Sequence, residues 1–357
     1  MGTLFEPARL GGLDVRNRIL RSATAERRAD VNGYPTEALA AFYEDLARGG
    51  VGTIITGMMT VLKDDTGYPG RLALYEDAQI APIRAITGRV HAAGAKIVAQ
   101  LVQTGANDSF RDGGIICGPS AVEHPVYHVV PKEMTKNDIR LLVAAFGAAA
   151  RRAKEAGFDA VELHGAHGYL LNAWLAPFFN RRTDEYGGSL ENRMRLILEI
   201  YDAIRAAAGP GYPVWIKLNA EDFTDGGSTF EDCLSVCRAL DKRGIDLIEM
   251  SGGNPARRRI GTEAPEGYFS AYAAKAAEEL KADVVSVGGY RSTALMEKLL
   301  RETNIRGFAL SRPLLCEPDL VNKWAADPAY KPRCISCNQC FKHKPGGTAC
   351  IFNIPAS

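Results

Sequence analysis

The chain repeats one phrase: a short unbroken apolar run, a turn, then a stretch with apolar residues at helical spacing. The runs at 18–23, 51–58, 96–102, 159–164, 214–219, 246–251, 284–288 and 307–311 read as eight strands. They are too apolar to alternate, as expected of parallel strands covered on both faces. Amphipathic helical patterns lie between them. The stretch 36–48 opens on Thr36 as N-cap and closes on Gly49-Gly50. The stretch 137–156 opens at Thr135 or Asn137 and stops at Gly157; 189–207 carries Ser189-x-x-Asn192, close to a capping box; 229–243 ends at Gly244. Further patterns span 270–280, 292–301 and 318–326. Eight strands alternating with helices predict a single (β/α)8 TIM barrel, of class α/β. A doubly wound open sheet would carry a glycine-rich dinucleotide fingerprint after its first strand, and none stands there.

Two segments depart from the repeat. Residues 104–136 form a long Gly/Pro-rich loop after strand three, and loops of that length in compact domains are often functional. The tail from 332 onward carries half of the eight cysteines. No linker marks a second domain, so 1–330 reads as the barrel and 331–357 as a cysteine-rich extension packed on it.

Composition changes this picture little. With 46% hydrophobic and 24% charged residues, the 357-residue chain is ordinary for a globular protein and buries a large core unaided. A formal net charge of +1 gives no field to draw in nucleic acid or a membrane. The basic run Arg257-Arg258-Arg259 reads as a solvated loop. No apolar stretch is long enough to span a bilayer, and the N-terminus lacks a basic-then-apolar leader pattern, so a cytoplasmic location is expected. In a reducing compartment, crowded cysteines point to metal rather than to disulfides.

The active site of a TIM barrel lies at the C-terminal ends of its strands. Strand four ends in His164-Gly165-Ala166-His167-Gly168-Tyr169. Two imidazoles can donate hydrogen bonds to one oxygen that gains charge, and the Tyr169 phenol can deliver a proton beside it. A metal site or a structural role for the His pair are the alternatives. Strand three ends in Gln100, with Gln103 after it. Strand five carries Lys217, whose buried charge requires an anion: a bound anionic group, or a carboxylate such as Glu221 or Glu162. Strands seven and eight end in Gly288-Gly289 and Ser311-Arg312, and loops after these strands commonly bind phosphate through backbone N–H groups.

The stretch His164–Tyr169, then Leu170-Leu171-Asn172, then the run from Asn180 through Arg181-Arg182-Thr183-Asp184-Glu185-Tyr186-Gly187-Gly188-Ser189 to Arg193, resembles the signature of the Old Yellow Enzyme family. Arg16-Asn17-Arg18-Ile19 and Ser311-Arg312-Pro313 extend the likeness over nearly the whole chain. The resemblance implies FMN at the barrel mouth. It places Ser22, Ala23 and Thr24 along the flavin and Gly57 against the ring. Gln100 would meet the pyrimidine edge, with Lys217 at its N1–O2 side, where the reduced flavin is anionic. Gly289, Ser311 and Arg312 would hold the phosphate. His164 and His167 would bind a substrate carbonyl, and Tyr169 would donate the proton. The implied reaction reduces an activated C=C bond of an α,β-unsaturated carbonyl or enoyl thioester with hydride from NADH or NADPH; a homo-oligomer is also implied. Three positions depart from the pattern: Ala25 replaces a cysteine of one subgroup, Arg27 an aromatic, and Lys217 a frequent arginine.

Cys334-x-x-Cys337-x-x-Cys340, with Cys350 further on, resembles the iron–sulfur segment of larger relatives, the 2,4-dienoyl-CoA reductases and trimethylamine dehydrogenases. A [4Fe–4S] cluster, a structural zinc and a vestigial tail all remain open, and the spacer before Cys350 is short for the pattern. No FAD module is expected after Ser357. Cys233 and Cys237, four apart on a helix, read as packed apolar groups, and Cys117 and Cys316 are not spaced as ligands. Two further readings stand beside the ene-reductase: a dehydrogenase or demethylase exchanging electrons with a partner protein through a cluster, and a non-catalytic flavin-binding subunit.

Overall fold

A computed structural model describes residues 3–65, 68–107, 115–253, 265–342 and 346–353 of the chain. Eight parallel strands form a closed ring: β1 Ile19–Arg21, β2 Thr53–Ile55, β3 Lys96–Val102, β4 Ala160–Gly165, β5 Val214–Asn219, β6 Leu247–Ser251, β7 Asp283–Val287 and β8 Gly307–Leu310. Phe308 on β8 stands opposite Ile19 on β1, which shuts the barrel. The expected (β/α)8 architecture is therefore the observed one. The Arg257–Arg259 run and part of the 104–136 loop lie outside the described residues.

The helix caps form. Thr36 Oγ1 accepts from the Leu39 amide at 3.3 Å, and Thr135 and Thr229 make reciprocal capping boxes with Asp138 and Asp232. Three details differ from the sequence reading. A helix over Ile80–Ala92 was not anticipated, because Pro82 and Gly88 interrupt its pattern; a capping box between Glu76 and Gln79 starts it instead. The 189–207 helix divides at Met194 into Leu190–Arg193 and Arg195–Ala208. The 51–58 run is no single strand. After β2 the chain steps aside at Gly57, where a Cβ would lie 1.9 Å from Glu26 Oε2, and resumes as Met59–Thr60 beside β3.

Inside the barrel the core is layered. A strand alternates its faces with period two, so inward-facing residues recur at i and i+2. The lowest layer is apolar: Leu20, Ile55, Val98, Ala160, Trp215, Leu247, Val285 and Ala309 pack together. Below it an antiparallel hairpin, Ala8–Leu10 with Leu13–Val15, closes the N-terminal end of the barrel. Trp215 Nε1 donates to the Gly11 carbonyl at 2.7 Å, and the Gly11 amide donates to Asp283 at 2.8 Å. A second, larger apolar core fills the space between the strands and the helices.

Candidate active site

Two residues further along each strand, the interior turns polar. Ser22, Gln100, Glu162, Lys217 and Glu249 make up a polar layer joined by side-chain hydrogen bonds. Three positions singled out from the sequence, Ser22, Gln100 and Lys217, thus meet in it, while Gly57 faces Glu26. Lys217 Nζ donates to Ser22 Oγ at 2.7 Å and pairs with Glu249 at 3.0 Å; Ser22 Oγ donates to the same carboxylate at 2.6 Å. Gln100 Nε2 donates to Glu162 at 2.7 Å.

The expected carboxylate partners of Lys217 were Glu221 or Glu162; the partner is Glu249, on the adjacent strand and directly opposite in register. Glu162 and Glu249 are both fully buried, at 0% exposure. Burial, and then the neighbouring Glu249, hold the Glu162 carboxyl well above the usual carboxylate range. Neither acid stands out as chemistry in the sequence, since each is one polar letter within an apolar run. The signal that reveals them is their alternation with Lys217 and Gln100 around a closed ring.

One level higher lie the residues of the mouth. His164, at the end of β4, is buried, and its ring lies 4.6 Å from that of Tyr169 and 5.3 Å from that of His167. His164 Nδ1 has no hydrogen-bond partner among the described residues. His167 Nε2 meets Ser251 Oγ at 2.7 Å. Burial first, then the positive charge of Lys217, lowers both imidazoles well below their ordinary value, so both rings are neutral at neutral pH. Each neutral ring keeps one N–H to donate. Tyr169 borders an apolar patch of Ala25, Met58, Tyr68 and Val102. Arg27, at φ +55°, lays its guanidinium 4.8 Å over the Tyr68 ring.

The phosphate candidates follow two adjacent strands, β7 and β8. Thr24 Oγ1 and Ser311 Oγ are 2.6 Å apart, joining the ends of β1 and β8. Gly288 and Gly289 hold φ of +143° and +73°, so the turn after β7 favours glycine twice in succession. Arg312 Nη1 donates to Asn338 of the tail at 2.5 Å. Ala23 lies half-buried against the interior core. Gln103 uses its side chain locally, accepting from the Gly105 amide at 2.8 Å.

The signature run 180–193 does a different job from the mouth. Asn180 Nδ2 donates to the carbonyls of Trp174 and Tyr186. Arg182 pairs with Asp184 at 2.6 Å and donates to the Met134 carbonyl at 2.7 Å. Arg193 donates to the Leu175 carbonyl at 2.7 Å. The bonds of Asn180 and Arg193 brace the helix Leu170–Leu175 that follows Tyr169.

The tail folds back onto the barrel. Thr348 donates from its amide to the Glu26 carbonyl at 2.8 Å and from Oγ1 to the Ala25 carbonyl at 2.6 Å. Cys334, Cys337, Cys340 and Cys350 line a single hollow with Arg312 and Asn338. As they stand, no three of the described His, Cys, Asp or Glu side chains converge as a metal site. Cys334 and Cys350 pack with Cys316 instead, a contact the spacing did not foretell.

Residues 3–329 match the NADH:flavin oxidoreductase / NADH oxidase family. A metal reductase of Desulforamulus reducens is 34% identical over 365 residues, covering 100% of this chain and 54% of that protein. An NADPH dehydrogenase of a Geobacillus species is 36% identical over 318 residues, covering 88% of this chain and 91% of the relative. Among solved structures, the old yellow enzyme homologue from Zymomonas mobilis superposes with a TM-score of 0.83 at 26% identity, over 97% of this chain and 99% of that one. The chain spans about half the length of some of the curated relatives it matches.

Proposed function

The chain belongs to the NADH:flavin oxidoreductase / NADH oxidase family, and from that premise we propose that it is an FMN-dependent oxidoreductase that reduces the activated C=C bond of an α,β-unsaturated carbonyl or enoyl thioester with electrons from NAD(P)H. The observation that carries this reading is the pair of neutral imidazoles beside Tyr169 at the end of β4.

The donor set fits FMN. His164 Nδ1 is buried with no partner among the described residues, Lys217 places a cation in the layer beneath the mouth, and the glycine turn and Ser311-Arg312 follow the adjacent strands β7 and β8, where an anion can be held. Gln100 and Lys217 would hold the pyrimidine edge; Ser22, Ala23, Thr24 and Gly57 would line the ring; Gly289, Ser311 and Arg312 would hold the phosphate. When bound, FMN supplies hydride transfer. The protein does the rest. His164 and His167 donate N–H groups to the carbonyl oxygen, and this contact strengthens as negative charge develops there. A neutral imidazole is the right donor, because it polarises the oxygen without surrendering a proton to it. The Tyr169 O–H delivers its proton to the α-carbon. The apolar patch of Met58, Tyr68 and Val102 offers the alkene a dry wall.

The test is anaerobic. FMN-loaded protein reduced with NADPH should be reoxidised by cyclohexenone. Tyr169→Phe should slow that reoxidation about 10²–10⁴-fold, the usual worth of a positioned general acid, and leave reduction by NADPH near the wild-type rate. Failure to react with any activated alkene would remove the proposal.

A second reading rests on the hollow that all four tail cysteines line. It gives the tail a [4Fe–4S] cluster or a zinc ion, reached by a small rearrangement of thiols now packed on Cys316, and allows electron exchange with a partner protein. An absorbance spectrum and metal analysis of protein purified without air decide it: bound iron with a broad band bleached by dithionite supports the cluster, stoichiometric zinc supports a structural site, and a metal-free two-band flavin trace ends this reading.

A further inference from the structure

His167 is one of six residues other than glycine, among the described residues, that hold a positive φ, here +62°, and Gly168 follows at +83°. A left-handed residue with a Cβ is strained and persists only where its surroundings hold it. The surroundings are specific. The His167 amide donates to Asn219 Oδ1 at 3.2 Å, and the Gly168 amide donates to Asn172 Oδ1 at 2.7 Å. Both asparagines are buried, at 5% and 4% exposure. An asparagine side chain is two-faced: rotated by half a turn, it presents an NH₂ where it had presented an oxygen. Something must fix both amides with oxygen toward the turn.

That something is one carboxylate oxygen. Asn219 Nδ2 donates to Asp222 Oδ1 at 2.7 Å, and Asn172 Nδ2 donates to the same atom at 3.0 Å. An ionised carboxylate only accepts, so it draws both NH₂ groups toward itself and leaves both Oδ1 atoms to the His167–Gly168 backbone, with Asn172 Oδ1 also accepting from Asn219 Nδ2 at 3.3 Å. Asp222 is in turn held by a short loop: its Oδ2 accepts from the Ser228 amide at 2.7 Å, and its own amide donates to the Ser228 carbonyl at 3.0 Å. The resulting turn directs the His167 ring at Ser251 and His164.

We propose that Asp222 is a positioning residue for the substrate-binding imidazole: acting through Asn172 and Asn219, it sets the left-handed turn that aims His167 across the barrel mouth. Asp222 makes no contact with the proposed substrate; it acts only through the orientation of two amides. The inference rests on the functional reading above for its catalytic consequence, but not for its structural one.

The test is Asp222→Asn, which keeps the shape and removes the obligatory acceptor. In protein labelled with ¹⁵N-histidine, and with His167 assigned by its loss in His167→Gln, the His167 ring signals should shift while those of His91, His124 and His128 stay in place. Turnover of cyclohexenone should fall at least tenfold, mainly in kcat, with the melting temperature and FMN affinity unchanged. Asn219→Ser, which deletes one relay arm, should show the same His167 shift if Asp222→Asn does not fold. Unmoved His167 signals in a folded variant would overturn the proposal. A shifted His167 in a protein that reduces no enone would leave the positioning role standing and remove the catalytic reading instead.

Discussion

Glu162 is an acid with no exposed surface that lies beside a second acid, Glu249, with the Lys217 cation close to both. Its folded-state pKa is raised above the unfolded one. A raised acid pKa means that the native state binds the proton more tightly, so the stability this group contributes is fully present below the unfolded value near 4.3 and is lost as pH rises toward the folded value. Glu162→Gln keeps an acceptor for Gln100 and removes the titration. Its denaturant stability relative to wild type should therefore improve steadily as pH rises above about 4.3, by up to about 1.4 kcal/mol per pH unit. A pH-independent difference between the two proteins would mean that Glu162 titrates normally. How much of this was legible in the sequence follows from the same residue. Lys217 and Gln100 were recognisable, because a lone cation or amide at a strand end asks for a ligand. Glu249 was not, and Glu162 was named only as a partner for Lys217, because their meaning lies in a ring closure that juxtaposes letters from different strands.

At the scale of the element, local chemistry foretold the ends better than the middles. Thr36 caps as read and Thr135, one of the two starts offered, is the cap that forms, since an N-cap needs only its own next turn; Thr229 caps without having been singled out. The helix Ile80–Ala92 was invisible because Pro82 and Gly88 weaken its propensity, and burial of Ile83, Ile86 and Val90 overrides them. The strongest of the caps lends itself to measurement. Thr135 both accepts from and donates to Asp138 at the head of the 20-residue helix Lys136–Glu155. Thr135→Ala should cost about 1 kcal/mol of unfolding free energy, and Thr135→Ser much less. The helix packs along Arg195–Ala208, so its loss would be felt across that flank of the barrel. The family signature is likewise a matter of elements. Asn180 and Arg193 spend donors on backbone carbonyls of the helix that follows Tyr169, and Arg182 spends its own on Asp184 and the Met134 carbonyl, which explains why so long a motif contains so few groups that face the mouth.

For the molecule as a whole, the tail is the instructive part. Among the described residues no helix is long and apolar enough to cross a membrane, and the tail returns to the barrel on two sides of the proposed cofactor site. Asn338 takes the Arg312 guanidinium, while Thr348 takes the backbone of Ala25 and Glu26, just beyond Ser22, Ala23 and Thr24. Cysteine spacing drew attention to this segment as a metal carrier; its polar residues make it a strut. Thr348→Val combined with Asn338→Ala should weaken FMN binding about tenfold or more, read as an equilibrium dissociation constant from quenching of flavin fluorescence. That corresponds to losing about two ordinary hydrogen bonds. An unchanged constant would confine the tail to a role apart from the cofactor.

The hairpin that closes the floor of the barrel has a consequence for how the protein is made. Gly11 leaves the ribosome early, yet the carboxylate that receives its amide, Asp283, is 272 residues downstream. At ordinary rates of translation the hairpin waits on the order of tens of seconds for its seat. During that wait Leu10, Leu13 and Val15 lack the Val285 and Ala309 side chains that complete their core, and the half-built sheet has open edges. Completion of the barrel is thus tied to the last strands synthesised, and the nascent chain has most need of a chaperone before β7 and β8 emerge.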